Sequence, residues 1–228
     1  MGCLDAKPVK AHGFRQAFWG GTALSLWLAL GGAEAQERTP PVLRPGHLDL
    51  RLEGAASLLP LSLEAGATVE VGVLPIATGT LALGAQLSGN LCALACWVPN
   101  LFSERDTSRW ELSAVGRLGY HFSLADRNYS KVDLFGFVLG GVTQPRTTVT
   151  APTYRFEGRG RGAVFGLGMG GNYFPSSRFF LGGEARLRFS TGTSELTLTR
   201  GTHAFTDDER QWFRLGLSTA FFVGVRLF

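Results

Sequence analysis

The chain has 228 residues, of which 45% are hydrophobic and 18% charged, and its formal net charge is only +4. This modest charge, without a basic stretch interleaved with aromatic residues, argues against a nucleic-acid partner. Glycine is abundant, at 31 residues, and Lys131 is the only lysine beyond the first ten positions. After the N-terminal region, no apolar run approaches the roughly 18 residues of a spanning helix.

The N-terminal region has the three parts of a secretory signal peptide. Lys7, Lys10 and Arg15 precede an apolar run over 17–30, and Ala-Glu-Ala at 33–35 offers small residues at the two positions that signal peptidase reads. A membrane anchor helix is the weaker alternative, because the run is short and rich in glycine. The sequence therefore predicts an exported protein.

Three segments follow from this interpretation. The signal peptide covers 1–35, a polar and proline-rich leader that we expect to be flexible covers 36–46, and the folded domain covers 47–228.

The folded domain retains two cysteines, Cys92 and Cys96, and an even pair in an exported protein suggests a small disulfide in a loop. Two unlinked thiols are the alternative. A zinc site would need nearby His or Cys ligands, and none is present, so no metal is expected.

Beyond residue 47 the sequence alternates apolar and polar residues with a period of two, which predicts β-strands with one apolar face. The first three strands are marked by Leu48, Leu50 and Leu52, by Val69, Val71 and Val73, and by Leu81, Leu83, Ala85 and Leu87. A turn near Pro60 and a short connection over 74–78 join them. A long loop over 90–107 follows and holds both cysteines.

Strand four is the clearest, because its alternation from Trp110 to Phe122 is longer than a half-buried soluble strand usually sustains. The later elements are a short turn over 123–130, strand five over 131–142, a long loop over 143–161, strand six up to Phe174, a turn over 175–177, strand seven from Phe179, a long loop over 191–210 and strand eight over 211–228.

The facing of strand five is ambiguous. Phe135, Phe137 and Leu139 share a parity with the charged residue Asp133. Either bulky side chains fill the interior at this strand, or a bulge switches the face.

Eight strands joined by alternating long loops and short turns predict an all-β, antiparallel up-and-down barrel, with every long loop at one end. This asymmetry is typical of transmembrane β-barrels. Aromatic residues crowd the short-turn ends, where an interfacial girdle is expected: Tyr120, Phe122, Tyr173, Phe174, Phe179, Phe180 and Phe228. The alternative is a soluble barrel, in which the polar faces would meet water and the leucines would fill the interior.

The closing strand carries a family resemblance. Phe213, Leu215 and Leu217 begin a long apolar face, and the sequence ends on Phe228. This ending is similar to the last strand of bacterial outer-membrane β-barrels, in which a C-terminal aromatic residue is read by the barrel-assembly machinery. Phe228 is one residue out of phase with the apolar face, an offset that a bulge near Arg226 would absorb.

Over 47–228 the pattern resembles the small barrels of outer-membrane proteins A and X. The resemblance implies a monomer in the bacterial outer membrane, in contact with its lipid and lipopolysaccharide. It implies a structural or surface-interaction role, in envelope integrity or in adhesion through long extracellular loops. A lipid-modifying barrel enzyme and a narrow, porin-like channel are the alternatives.

The polar faces predict a charge network inside the barrel. Eight strands leave a lumen just wide enough for side chains, and buried charges are tolerated when they are paired. The residues assigned to this network are Glu111, Arg117, Glu184, Arg186, Arg188 and Arg214. We expect them to close the lumen, and we expect His121 to be a rim or girdle residue.

A search for catalytic and cofactor motifs predicts neither an enzyme nor a cofactor. The run Gly-Leu-Ser-Thr-Ala at 216–220 misses the nucleophile-elbow pattern G-x-S-x-G at its last position. Gly166, Gly168 and Gly171 spell G-x-G-x-x-G, but dinucleotide binding requires that motif to open a helix, and here it lies within a strand. We expect these glycines to make room for arginine side chains across the lumen.

The long loop over 143–161 is rich in arginine. Arginine binds phosphate at two points, and the outer leaflet carries phosphate-bearing lipopolysaccharide. Arg146, Arg155, Arg159 and Arg161 are therefore candidate lipopolysaccharide contacts. A solvated loop without a partner is the alternative.

Overall fold

A computed structural model describes residues 42–59, 61–92, 96, 106–122 and 131–227. The predicted signal peptide 1–35 and the predicted assembly signal Phe228 lie outside the described residues. The strands are β1 (Leu48–Leu59), β2 (Leu61–Ile76), β3 (Gly79–Cys92), β4 (Asp106–Phe122), β5 (Val132–Ala151), β6 (Tyr154–Tyr173), β7 (Phe179–Arg200) and β8 (His203–Leu227). No helix in this part of the chain is long and apolar enough to cross a membrane.

The described strands close into a single barrel. Each pairs antiparallel with the next along the chain, and β1 completes the ring by pairing with β8. The predicted eight-stranded up-and-down barrel is therefore confirmed. Arg226 pairs directly with Asp49, and Leu227 with Leu48, so the β1–β8 register has no bulge at Arg226.

The two faces of the barrel wall have opposite chemistry. Leu52, Leu87 and Met169 face outward and are about two-thirds exposed, at 67%, 65% and 69%. The inward positions hold charged side chains that are almost fully buried, such as Glu70 and Arg186. An apolar surface around a charged interior is stable only when lipid covers the outside. The arrangement excludes the soluble barrel.

In β5, bulky residues fill the interior. Phe135, Phe137 and Leu139 are at most 5% exposed and share the inward face with the buried Asp133. The pairing of β5 with β4 continues without a register shift. Of the two interpretations of this strand, the filled interior is the one that holds.

Glycines of β6 accommodate these rings. A Cβ atom at Gly168 would lie 2.4 Å from Phe137, and one at Gly170 would lie 2.7 Å from Phe135. The nearest side chain to a Cβ at Gly166 is Leu139, at 3.3 Å. The expectation that the glycine motif makes room for arginines was wrong, because the neighbouring strand β5 places aromatic and aliphatic side chains over these glycines.

Two of the three predicted long loops are β-structure. β5 continues to Ala151 and β6 begins at Tyr154, while β7 continues to Arg200 and β8 begins at His203. β6 also pairs with β7 up to Arg155 and Thr199. Strands β4–β8 therefore rise past the barrel rim as one sheet, which we call the raised sheet. In contrast, β1 and β2 meet at the rim, on either side of position 60.

The end of the predicted flexible leader is folded against the barrel. Leu43 is completely buried, and Pro45 forms a bridge with Gly72 of β2. The Gly46 amide donates to the Gly72 carbonyl at 2.8 Å, and the Gly72 amide donates to the His47 carbonyl at 3.0 Å. We call residues 42–47 the strap. A flexible leader is wrong for this part of the chain.

Glycine is required where the strap crosses β2. A Cβ atom at Gly72 would lie 2.2 Å from the Arg44 carbonyl oxygen. Gly72 shares the inward parity of Thr68 and Glu70, so the strap crosses the lumen side of the barrel end. Burial, followed by the charges of Arg226 and Arg44, lowers the pKa of His47, which favours the neutral ring at pH 7.

Candidate functional site

The centre of the lumen is built around Arg186 of β7. Its guanidinium contacts Glu53 at 2.5 Å and Glu64 at 3.4 Å, and it also contacts Glu184. Arg117 of β4 contacts both oxygens of Glu184 at 3.1 Å in two-point geometry. All five side chains are at most 2% exposed. These contacts tie β1, β2, β4 and β7 together across the barrel.

A second layer forms around Arg51 of β1. Its guanidinium pairs with Glu70 and lies 3.8 Å from Glu184. It also lies 4.7 Å from the ring centre of Phe135 and 5.2 Å from that of Phe222. Arginine combines ion pairing and ring stacking in this way because its guanidinium is planar. The layer couples the charge network to the aromatic filling of the lumen.

The central charges balance. In these layers four arginines meet four acids: Arg51, Arg117, Arg186 and Arg188 with Glu53, Glu64, Glu70 and Glu184. Pairing of this kind is the condition under which buried charges are tolerated. The interior therefore carries no excess charge of either sign at its centre.

His121 belongs to this interior and not to the rim. Its Nδ1 lies 2.9 Å from an Asp133 oxygen, and its Nε2 lies 3.5 Å from a Glu70 oxygen. Asn172 donates to the same Asp133 oxygen at 3.2 Å. The predicted rim position of His121 was wrong, because its inward parity in β4 continues that of Arg117 to the end of the strand.

Arg226 closes the network at the short-turn end. It donates to both oxygens of Asp49, at 2.7 and 2.8 Å, and to Asp133 at 3.2 Å. The ring of Phe174 lies 4.4 Å from its guanidinium carbon. Phe174 and Phe180 are buried, at 6% and 0% exposure. These two aromatic residues therefore fill the lumen instead of joining the predicted girdle.

The outer end of the lumen opens into a cleft of about 220 Å³. Glu111 and Arg214 form an ion pair in its lining, and Thr143 donates to Glu111 at 2.7 Å. The lining residues are Leu61, Ser62, Asn90, Cys92, Cys96, Thr107, Arg109, Trp110, Glu111, Thr147 and Arg214. We call this cleft the mouth of the lumen.

The predicted network residues divide into two groups. Arg117, Glu184 and Arg186 meet at the centre, and Arg188 joins them through Glu64 at 2.8 Å. Glu111 and Arg214 form the separate pair at the mouth. Sequence reasoning missed Glu64, because the predicted second strand did not extend back beyond position 68, whereas β2 begins at Leu61. The signal was its parity with Thr68 and Glu70, which places all three on one face.

Cys92, at the end of β3, forms a disulfide with Cys96, and the two Cα atoms lie 5.7 Å apart. The disulfide sits in the wall of the mouth cleft.

We expect the secreted protein, unfolded in denaturant, to show no free thiol before reduction and two per chain afterwards. The measurement is titration with a thiol reagent. A Cys92→Ser variant is the control, and it should show one free thiol before reduction. Two reactive thiols in the unreduced native protein would contradict the disulfide.

The candidate lipopolysaccharide contacts lie on the raised sheet. Three of them surround a single acid: Arg155 lies 2.5 Å, Arg159 3.4 Å and Arg146 3.7 Å from Glu157. We call these four residues the arginine cluster. Arg161 follows on the same face of β6. The structure thus brings three of the four predicted residues together on β-strands instead of a loop.

No protein-family model and no curated protein matches this sequence. Among solved structures, a major outer membrane protein of Thermus thermophilus has a TM-score of 0.51 at 10% identity, over 79% of this chain and 99% of its own. The fold is that of a bacterial outer-membrane β-barrel. CarO of Acinetobacter baumannii gives a TM-score of 0.49 at 11% identity, over 84% of this chain and 99% of its own.

Ail, the attachment invasion locus protein of Yersinia pestis, gives a TM-score of 0.41 at 10% identity, over 80% of this chain and 99% of its own. At these identities the likeness concerns the fold. Together with the apolar outer surface and charged interior of the barrel wall, this fold places the protein in a bacterial outer membrane.

Proposed function

We propose that this outer-membrane barrel has a structural and surface-contact role, and that it neither conducts ions nor catalyses a reaction. The observation that carries the proposal is the filled lumen, in which paired charges and aromatic rings occupy successive layers. In this proposal the raised sheet is the part of the molecule that makes contacts at the cell surface.

Paired charges and aromatic rings occupy the described lumen at successive levels. From the outer end inward, the pair Glu111–Arg214 is followed by the contacts of Arg186 and then by those of Arg51. The aromatic group comes next: Phe135, Phe174, Phe180 and Phe222. Arg226 and the strap lie at the short-turn end. An ion would have to break several buried pairs to pass, which opposes the channel alternative.

The lipid-modifying enzyme is the second alternative. A nucleophilic site requires a base within hydrogen-bonding reach of a serine or another nucleophile. Both ring nitrogens of His121 face carboxylates, and the residue is completely buried. Because Asp133 and Glu70 already occupy both ring nitrogens, we propose that His121 has a structural role and no catalytic one.

Planar bilayers containing the purified protein should show no stable channel steps. The reason is that paired side chains fill the lumen at several levels. A porin reconstituted by the same procedure is the control for incorporation. Reproducible unitary steps from the folded protein would overturn the closed-lumen proposal and favour the narrow channel.

The surface role calls for a separate experiment in cells that lack the protein. Full-length protein is compared with a variant in which 146–159 and 195–209 are each replaced by a short turn. If the raised sheet mediates contact, both proteins should restore detergent resistance, and only the full-length protein should restore attachment. Equal attachment by both would rule out a role for the raised sheet.

A further inference from the structure

The arginine cluster lies just above the part of the wall that faces lipid. On β6, the outward positions from Tyr173 to Ala163 carry no charge, and Arg161 is the first charged residue beyond them. The ten residue steps between these two positions extend about 33 Å along a strand, which at the usual tilt corresponds to the roughly 25 Å apolar band of a membrane barrel. The outward face of β5 also changes from apolar to polar, between Val142 and Gln144.

The strand register places the arginines on the lipid side of the raised sheet. Arg146 pairs with Arg159, and Thr150 pairs with Arg155. Arg146 and Thr150 share the parity of the exposed Val142 on β5, and their partners on β6 lie on the same face of the sheet. They therefore stand directly above the lipid face of the barrel and point away from the lumen.

An aromatic residue marks the same level on the neighbouring strand. Trp110 of β4 pairs with Arg146 and shares the outward parity of Leu112 and Leu118. Tryptophan is enriched at the membrane–water interface. The cluster therefore lies at the height of the outer-leaflet headgroups.

The cluster has more hydrogen-bond donors than its own acid can use. Three guanidinium groups offer about fifteen N–H donors, whereas one carboxylate offers about four acceptor sites. The side chains of Arg155 and Arg159 are 58% and 67% exposed, so these donors reach the surface. Glu157 is 21% exposed and holds the three arginines together.

The charge of this face is positive overall. Above the apolar band, the outward positions of β4–β7 carry four arginines and three acids: Arg146, Arg155, Arg159 and Arg161, with Asp106, Glu157 and Glu195. Glu195 pairs in register with Arg159, and Asp106 lies opposite Thr150 at the tip of the sheet. The excess is small, and it is concentrated where three arginines meet one glutamate.

We propose that the arginine cluster binds a phosphate group on the headgroup of a phosphorylated glycolipid in the outer leaflet. Guanidinium groups bind phosphate oxygens at two points, and the single carboxylate of Glu157 cannot use all the N–H donors of the three arginines. The pairing of β5 with β6 fixes the backbone positions of the three arginines, so the site does not have to be assembled when the ligand binds. The proposal rests on the outer-membrane placement and is independent of whether the lumen conducts.

The test uses the full-length mature protein folded in neutral detergent. Its ligands are a diphosphorylated lipid A, the same glycolipid without phosphates, and inorganic phosphate. The double variant Arg155→Gln/Arg159→Gln should bind the diphosphorylated glycolipid at least tenfold more weakly than the wild type. Binding of the phosphate-free glycolipid should be the same for both proteins. Inorganic phosphate should compete only at millimolar concentration.

Two control variants isolate the site. Arg200→Gln removes an exposed arginine from the other hairpin and should bind like the wild type. Glu157→Gln removes the competing carboxylate and should bind equally well or more tightly. Heat-modifiable mobility on a gel verifies that each variant is folded.

Equal glycolipid binding by the double variant and the wild type would overturn the proposal. Competition by micromolar inorganic phosphate would also overturn it, because the ligand would then be free phosphate. A loss at Glu157→Gln as large as that at the arginines would overturn the charge-based site as well.

Discussion

Replacing Arg186 by alanine is expected to lower the free energy of unfolding in lipid vesicles by about 3–5 kcal/mol, since removing one partner of a buried ion pair leaves an uncompensated charge. Here a single guanidinium serves three acids, Glu53, Glu64 and Glu184, and its side chain is completely buried. The measurement is urea-induced unfolding followed by tryptophan fluorescence.

Arg188→Ala is the matched control. Arg188 lies on the same strand and contacts Glu64 at 2.8 Å, but its side chain is 16% exposed. Since one charge-assisted contact near water is lost, we expect about 1–2 kcal/mol. Equal losses in the two variants would contradict the central place of Arg186 in the network.

The same substitution should affect permeation. Without Arg186, the central layer retains three acids that have lost a shared partner. We expect the variant to leak cations in planar bilayers, while the wild type and Arg188→Ala remain closed. A leak selective for anions would show that the lumen charges were assigned incorrectly.

The alternation of side chains made most of the barrel predictable. Each strand exposes every second residue to lipid, so a period of two in the sequence reports directly on the wall. In β4 the apolar parity from Trp110 to Phe122 is the outward face. Parity assigns the faces only when the inward residues are polar. In β5 the inward face is bulky and apolar, at Phe135 and Phe137, so its facing could not be read from the sequence.

The raised sheet was harder to predict for a related reason. Outside the membrane both faces of a strand meet water, so the alternation disappears and the sequence resembles a loop. The β-branched residues of 147–150 and 191–199 were the remaining signal, since they favour extended structure. The arginines were identified as a possible phosphate site, but their common face became clear only from the pairing of Arg146 with Arg159.

Pairing within the lumen could not be predicted at all. The sequence indicates which residues point inward, but partners across the barrel depend on strand stagger, which no local pattern reports. Arg186 and Glu53 are separated by 133 positions in the sequence. His121 is a similar case, because its position between Asp133 and Glu70 depends on three different strands.

The orientation of the wall makes a prediction with opposite outcomes at two adjacent residues. Ala114 is exposed on the lipid face of β4, near the middle of the strand, whereas Ser113 faces the lumen, and its hydroxyl lies 3.1 Å from that of Thr143. Ala114→Arg should cost about 2–4 kcal/mol, because it places a charge in hydrocarbon. Ala114→Leu should be neutral or mildly stabilising.

At Ser113 the order should be reversed or lost. Ser113→Leu overpacks the lumen at a cost of about 1–3 kcal/mol. Ser113→Arg adds bulk as well, but its charge lies two residues from Glu111 and can recover part of the cost by pairing with it. The measurement is the unfolding free energy of the four variants in lipid vesicles. If Ala114→Arg is harmless while Ser113→Arg is far worse than Ser113→Leu, the faces of β4 are inverted and the membrane orientation of the barrel wall is wrong.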